Sequence, residues 1–494
     1  MKFVIEETDE IIGGTTGLFV VNNILNSINF KENVNDRNKI KVQSKKIPNA
    51  DVFMTYIGIL AQGKTEFERA EEYREHEFFK TELEIKNSPS CSILRQRFNA
   101  IADTEIDNMK KLIDETNRDL LKHKQVELTP CYEKYIPLDI DVTPMDNSDT
   151  KKEGVSWTYK EFEGYAPIMA YIGKEGYLMR TELREGKANG QCAKTPQFLK
   201  DTIKLAEEVT DKKILARTDC GHDCCENVLI FTENEIDFVM KAKNTTADKP
   251  EFYFNKAEKL YKQNEAKEVK CREGKERYLY SYDKTYLCTK EDGTKENITT
   301  RIVVDAIKRT SKANGQILVI PEYECKRYTT SLREATEEEI IEIYHAHGTS
   351  EQFHSEIKSD MDVERLPSGK FKTNELVLGL VSIVFNVLRM IGQIGSKLEV
   401  SKKRAVERKR IKTVIKDMIL FASKLVKHAR KKIIKIYKKE PRISFIQRNL
   451  LCYMFIKTKE KKKWQAVIRY CYLSSLCKHY IPKITNFAIE KFES

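Results

Sequence analysis

Asp139 and Asp141 stand two residues apart in the run IPLDIDV (136–142), which alternates and reads as a β-strand, so both carboxylates share one face. Asp219 closes a second β-type run, Lys213–Thr218, in Arg217-Thr218-Asp219-Cys220-Gly221. Carboxylates at the ends of neighbouring strands can converge on hard cations. Mg2+ or Mn2+ takes oxygen ligands, and two such ions ~4 Å apart serve phosphodiester chemistry. Taken singly, an aspartate at a strand end is more often turn chemistry. A third polar group follows. Tyr344, His347, Glu351 and Lys358 lie at steps of three, four and seven, so on a helix they form one stripe. A solvated amphipathic face has the same pattern, and Gly348 with Thr349-Ser350 is a place for the helix to break or restart.

The elements that must position these residues can be read from periodicity. Segments 17–28, 50–62 and 65–86 carry apolar residues at helical spacing. Another helix starts in PSCSILRQRF (89–98), capped by Ser90 or Ser92, with Arg95, Gln96 and Asn99 on or near its exposed side. Such a helix suits a DNA major groove, with Arg95, Gln96 and Arg97 as the expected contacts; a solvated face on an ordinary helix is the alternative. Strands at 136–142, 155–172 and 176–184, a helix at 195–209, the strand 213–218, a helix near 223–232 and the strand 236–242 make an α/β pattern with a mixed sheet. Residues 250–333, rich in Tyr, Lys and Thr, read as a β-rich insertion. Helices resume at 336–346, 349–362 and 373–397, and 411–437 reads equally as helix or strand.

These residues resemble the bacterial insertion-sequence transposases of the DDE class, whose catalytic domain has a ribonuclease H-like fold. That family carries a Y-x2-R-x3-E-x6-K signature; here it stands as Tyr344-x2-His347-x3-Glu351-x6-Lys358, with His in place of Arg. The family's D-x-T is matched by Asp141-Val142-Thr143, and its R-x-D-S-G by 217–221 with Cys220 for Ser. The stretches 138–168, 89–98 and 351–371 are similar as well, and the resemblance runs from about residue 15 to about 440. It implies that Asp141, Asp219 and Glu351 hold two Mg2+ or Mn2+ ions, with Asp139 the runner-up for the first ligand. It further implies cleavage at the ends of an element, then attack of the freed 3′-OH on target DNA. Arg217, His347 and Lys358 are the candidate phosphate clamps, and Tyr344 either touches DNA or packs on the core. The rivals are an inactive or domesticated DNA-binding relative and another ribonuclease H-like nuclease.

Composition agrees with a nucleic-acid partner. Of 494 residues, 40% are hydrophobic, enough for real cores, which excludes wholesale disorder. Residues 401–494 carry a net charge of +21, against −9 for the first 400. The basic region, with Lys402, Lys403, Arg404 and Arg408 at its start, is expected to bind phosphates without regard to sequence. Twelve irregularly spaced cysteines suit a reducing compartment, no signal peptide is visible, and the apolar run 376–385 reads as a buried core helix. A cytoplasmic, nucleoid-associated protein is expected, acting on double-stranded DNA as a homodimer and without a membrane. The cluster Cys220-Gly221-His222-Asp223-Cys224-Cys225 lacks the spacing of a zinc module, and Gly13–Gly17 lacks the Lys-Ser/Thr of a phosphate loop.

The expected architecture is therefore α/β: a ribonuclease H-like mixed sheet with helices on both faces, interrupted by a β-rich insertion. Its parts are a helical DNA-binding region (1–125), the catalytic core (126–249 and 334–400), the insertion (250–333) and a basic C-terminal region (401–494).

Overall fold

The computed structural model describes residues 8–37, 47–245, 248–398, 408–428 and 431–437. The chain divides into two units, Met1–Glu440 and Pro441–Ser494, and every described residue belongs to the first.

The N-terminal part is helical: α1 (Leu18–Ser27), α2 (Asn49–Leu60), α3 (Cys91–Thr104) and α4 (Ile106–Leu121). α2 is buried at every position, as a helix that is apolar nearly all round must be. α3 starts at Ser90, whose hydroxyl accepts from the Ile93 N–H at 3.3 Å. The helix expected over 65–86 is instead a 3-10 segment, Phe67–Tyr73, and a short helix, Glu77–Glu82, which the His76 ring caps through Nδ1.

Strands β1 (Ile136–Val142), β2 (Ile168–Ile172) and β3 (Tyr177–Glu182) form an antiparallel meander. The single strand expected over 155–172 is broken: Ser156–Trp157 and Glu163–Tyr165 belong to a separate small sheet. Helix α5 (Thr195–Val209) then leads to β4 (Ile214–Thr218), and α6 (Cys225–Glu233) leads to β5 (Asp237–Lys241). A helical crossover returns the chain to the same end of the sheet, so β4 is parallel to β1 and β5 to β4. The segment read as a β-rich insertion opens with a helix, α7 (Pro250–Lys262), followed by β6 (Lys267–Glu268), β7 (Lys275–Thr289), β8 (Lys295–Ser311) and β9 (Ile317–Thr330). These strands do not stand apart. Tyr328–Thr330 pair with Lys241–Val239, which joins everything into one nine-stranded mixed sheet, order β6-β7-β8-β9-β5-β4-β1-β2-β3.

Three helices complete this part. α8 (Glu337–His347) starts with a capping box in which Thr336 and Glu339 satisfy each other's backbone N–H groups. α9 (Thr349–Ser355) follows after Gly348 and runs into a π-helical turn, Glu356–Asp360. α10 (Phe371–Leu398) is apolar and long enough to cross a membrane, but its most apolar window is wholly buried inside the protein. Asn386 on α10 exchanges hydrogen bonds with the Leu178 backbone at both N–H and C=O, each 2.7 Å, which ties the helix to β3. The stretch 411–437 is helix and strand in turn: Ile411–Val414, then Ser423–His428 and Lys431–Ile436, which pair beside Ile11–Gly13. Lys402, Lys403 and Arg404 lie outside the described residues.

Candidate active site

The parallel register of β1 and β4 sets Asp139 opposite Arg217 and Ile140 opposite Thr218. The next residues, Asp141 and Asp219, therefore leave adjacent strands side by side although 78 positions separate them. Asp139, Asp141, Arg217 and Asp219 share one face, because side chains alternate along a strand.

Helices α8 and α9 cover that face and are stitched to it. Arg217 donates through Nε and Nη2 to the two oxygens of Asp139, at 2.7 and 2.6 Å, and through Nη1 to the Ile343 carbonyl of α8 at 3.1 Å. The His347 Nδ1 meets Asp139 Oδ1 at 2.8 Å. From α9, the His354 Nε2 meets Asp141 Oδ2 at 3.2 Å, while Nδ1 faces the Tyr171 hydroxyl at 3.0 Å. Glu351 lies exposed in the first turn of α9, three residues before His354.

Tyr159 is 59% exposed as a residue, but its phenol oxygen turns inward, and that burial, with the negative charges of Asp141, Asp219 and Glu351, raises its pKa. The Tyr159 O–H donates to the Val142 carbonyl at 3.2 Å, next to Asp141 in the chain. Burial works against ionisation of Asp141, but the His354 contact and the nearby rings of His347 and His222 hold its pKa below the usual aspartate value. Asp139 is likewise buried, and Arg217 with His347 keeps it ionised. Asp219 accepts on Oδ1 from the Gly221 N–H at 3.0 Å and from His222 Nδ1 at 2.8 Å. The side chain of Asp219 is 43% exposed and that of Asp141 19%, so both carboxylates border solvent.

Several expected contacts lie elsewhere. Arg217 and His347 do not face DNA: both are buried and spent on Asp139. Asp139, the runner-up ligand, has both oxygens occupied by these partners. Tyr344 packs on Tyr328 and His347, with ring centroids 5.0 and 5.8 Å away. Lys358 donates to the Pro144 carbonyl; burial lowers its pKa, against the pull of Glu364 and Asp141. In the N-terminal helix, Arg97 is buried against Asn49 and the Ile47 carbonyl, so it is no groove contact. Arg95 is exposed but paired with Glu68 over the Phe67 ring, and Gln96 is exposed. Arg408 is drawn onto Glu356 and Gln352.

Sequence reasoning passes over Tyr159 and His354 and considers His222 only as a zinc ligand. The signal was a histidine three residues after Asp219 and again after Glu351. Among the described residues no three His, Cys, Asp or Glu side chains are drawn together tightly enough to hold an ion. The donor chemistry still fits a hard divalent cation: Asp141 and Asp219 offer carboxylate oxygens at the solvent edge of two adjacent strand ends, and Glu351 offers an exposed carboxylate on the covering helix.

No curated protein matches the chain. Among solved structures, a piggyBac transposase synaptic complex with hairpin DNA is similar, at 12% identity and a TM-score of 0.37, over 82% of this chain and 78% of that one. A likeness that distant says nothing about individual residues. The family model described as "Transposase DDE domain group 1" matches residues 4–451, nearly the whole chain. The chain belongs to that family: it is a DDE transposase, an enzyme that cleaves and transfers DNA.

Proposed function

We propose that Asp141, Asp219 and Glu351 are the metal-binding carboxylates of this transposase. The observation that carries the reading is the pairing register that brings Asp141 beside Asp219, with the helix of Glu351 tied to Asp141 through His354. Two Mg2+ or Mn2+ ions there would supply Lewis acidity to the attacking water and to the departing 3′-oxygen.

The chain's own groups do the rest. His354 orients Asp141, and His222 with the Gly221 N–H orients Asp219. Tyr159, protonated at neutral pH like any phenol, ties the segment between the strands Ser156–Trp157 and Glu163–Tyr165 to the strand end. Lys358 places a positive charge near Asp141. Arg217 and His347 act behind the site, fixing α8 against β1.

The finer reading is a bacterial insertion-sequence transposase with a ribonuclease H-like core, supported by the order β3-β2-β1-β4-β5 and by the Tyr344-to-Lys358 spacing. Its partners would be the inverted-repeat ends and the target DNA, bound by a homodimer in the bacterial cytoplasm. The test is strand cleavage on a duplex carrying the repeats that flank the coding region. Asp141→Ala, Asp219→Ala and Glu351→Ala should each abolish Mg2+-dependent cleavage while DNA binding persists. Near-normal cleavage by any one removes that residue from the set.

A further inference from the structure

We propose that His222 and His354 are positioning residues that hold the metal-facing carboxylates of Asp219 and Asp141 through opposite ring nitrogens. The proposal rests on the assignment of those two aspartates as ligands.

The two rings are set differently. His222 follows Asp219 by three residues in the 3-10 turn Cys220–His222, so its Nδ1 reaches back to Asp219 Oδ1 at 2.8 Å. The ring is 1% exposed, and its Nε2 is buried with no hydrogen-bond partner among the described residues. A buried nitrogen without a partner is uncommon. Here it fits the tautomer with hydrogen on Nδ1, since a second N–H at Nε2 would be a buried donor with no acceptor. The ring is also held in place. Gly190 lies so close that a Cβ there would sit 2.8 Å from its Cγ and Nδ1. Asn227 fixes this arrangement by donating to the Gly190 carbonyl at 3.1 Å and the His222 carbonyl at 2.9 Å.

His354 uses its other end. Asp141 Oδ2 lies 3.2 Å from Nε2 and, as a carboxylate oxygen, can only accept, so Nε2 carries the hydrogen; the wholly buried Tyr171 sets its hydroxyl 3.0 Å from Nδ1 and 3.2 Å from Met169 Sδ, which holds the ring from the other side. Each carboxylate is thus oriented before any cation arrives, and from a different strand end. Partners of this kind orient ligands and raise metal affinity. Histidines that merely fill space would show no dependence on which nitrogen position is kept.

That dependence is testable, because an Asn amide nitrogen overlays Nδ1 of histidine and a Gln amide nitrogen overlays Nε2. Mn2+ affinity of the full chain is measured from the paramagnetic resonance of free Mn2+, alongside the Mg2+ concentration that half-saturates cleavage and the melting temperature. His222→Ala and His354→Ala should weaken Mn2+ binding by ~10-fold or more, the usual effect of removing such a partner. His222→Asn and His354→Gln should recover most of it; His222→Gln and His354→Asn should not. Equal recovery by Asn and Gln at both sites, or wild-type affinity in folded alanine variants, overturns the proposal. Asp141→Ala and Asp219→Ala separate the two levels. If they bind Mn2+ like the wild type, the ligand assignment itself fails; if they lose Mn2+ while the histidine variants keep it, only the positioning role fails.

Discussion

Arg217 and Asp139 face each other across two parallel strands as a bidentate pair, 2.7 and 2.6 Å long, with side chains 2% and 1% exposed. Both carry full charge in the interior, so each is tolerable only while the other is present. Breaking such a pair from one side costs ~3–5 kcal/mol, because an uncompensated charge stays buried. Asp139→Ala should therefore lower stability by that order, read by urea unfolding, and Arg217→Ala similarly. Asp219→Ala, at a partly exposed position, should change stability by ~1 kcal/mol or less. An Asp139→Ala protein as stable as the wild type would contradict the role given to the pair.

The same geometry bears on phosphate binding. His347 occupies the place of the signature arginine, yet it is seated on Asp139 and not toward solvent. His347→Ala should destabilise the fold without changing the salt dependence of DNA binding. Neutralising Lys402, Lys403 and Arg404 to Gln should instead flatten that dependence, by ~1 unit of log–log slope for each phosphate no longer neutralised, equally for element ends and random DNA. Binding titrated against salt for both variants checks the contrast. A flatter slope for His347→Ala would show that it reaches DNA after all.

A pH prediction comes from α4. Burial raises Asp114 to about 6, against the pull of the Arg180 guanidinium 3.4 Å away, with Asp201 adding to the rise. A carboxyl that is harder to ionise folded than unfolded favours the native state at low pH. That contribution is complete below ~3.9, its unfolded value, and is lost as pH rises through about 6. Asp114→Asn should thus be more stable than the wild type at pH 7.5, by ~1 kcal/mol after allowing for the missing Arg180 ion pair. The gain should shrink to nothing near pH 4. Urea unfolding at both pH values reads it, and a gain that grew on acidification would have the wrong sign.

Arginines at the start of the basic region are tied to buried acids. Arg408 binds Glu356, which is 2% exposed and also accepts from Arg389 at 2.6 Å, and Arg410 binds Asp360 at 2.8 and 3.0 Å. Both acids lie on the π-helical turn that follows the helix of Glu351. Arg408→Ala should lower the melting temperature by several degrees with an unchanged salt slope, whereas charge removal within 438–494, which holds 13 lysines and arginines against four acids, should do the reverse.

What could be read from sequence was local. The strand around Asp141, the strand before Asp219, the Ser90 cap and the broken helix before Glu351 follow from spacing, capping chemistry and Gly348, and the structure has each. The partners of buried charges could not be read. Arg97 and Arg217 resemble surface cations until a residue 48 or 78 positions away is seen beside them. Helix α7 was hidden in a Tyr- and Lys-rich stretch because it buries only Phe254 and Ala257, too few to show a period. His222 sits in a Cys220–Cys225 cluster whose composition points to zinc, whereas its ring meets Asp219, and His354 meets an aspartate 213 positions away, which spacing does not reveal.

We propose that Glu351, from a helix, completes a metal site begun by two strand-end aspartates. The most direct test is single-strand cleavage by Glu351→Ala across a Mg2+ titration, on DNA carrying the flanking repeats, with binding followed in the same reactions. Wild-type binding and no cleavage at any Mg2+ concentration are expected. Cleavage approaching the wild-type rate would contradict the proposal.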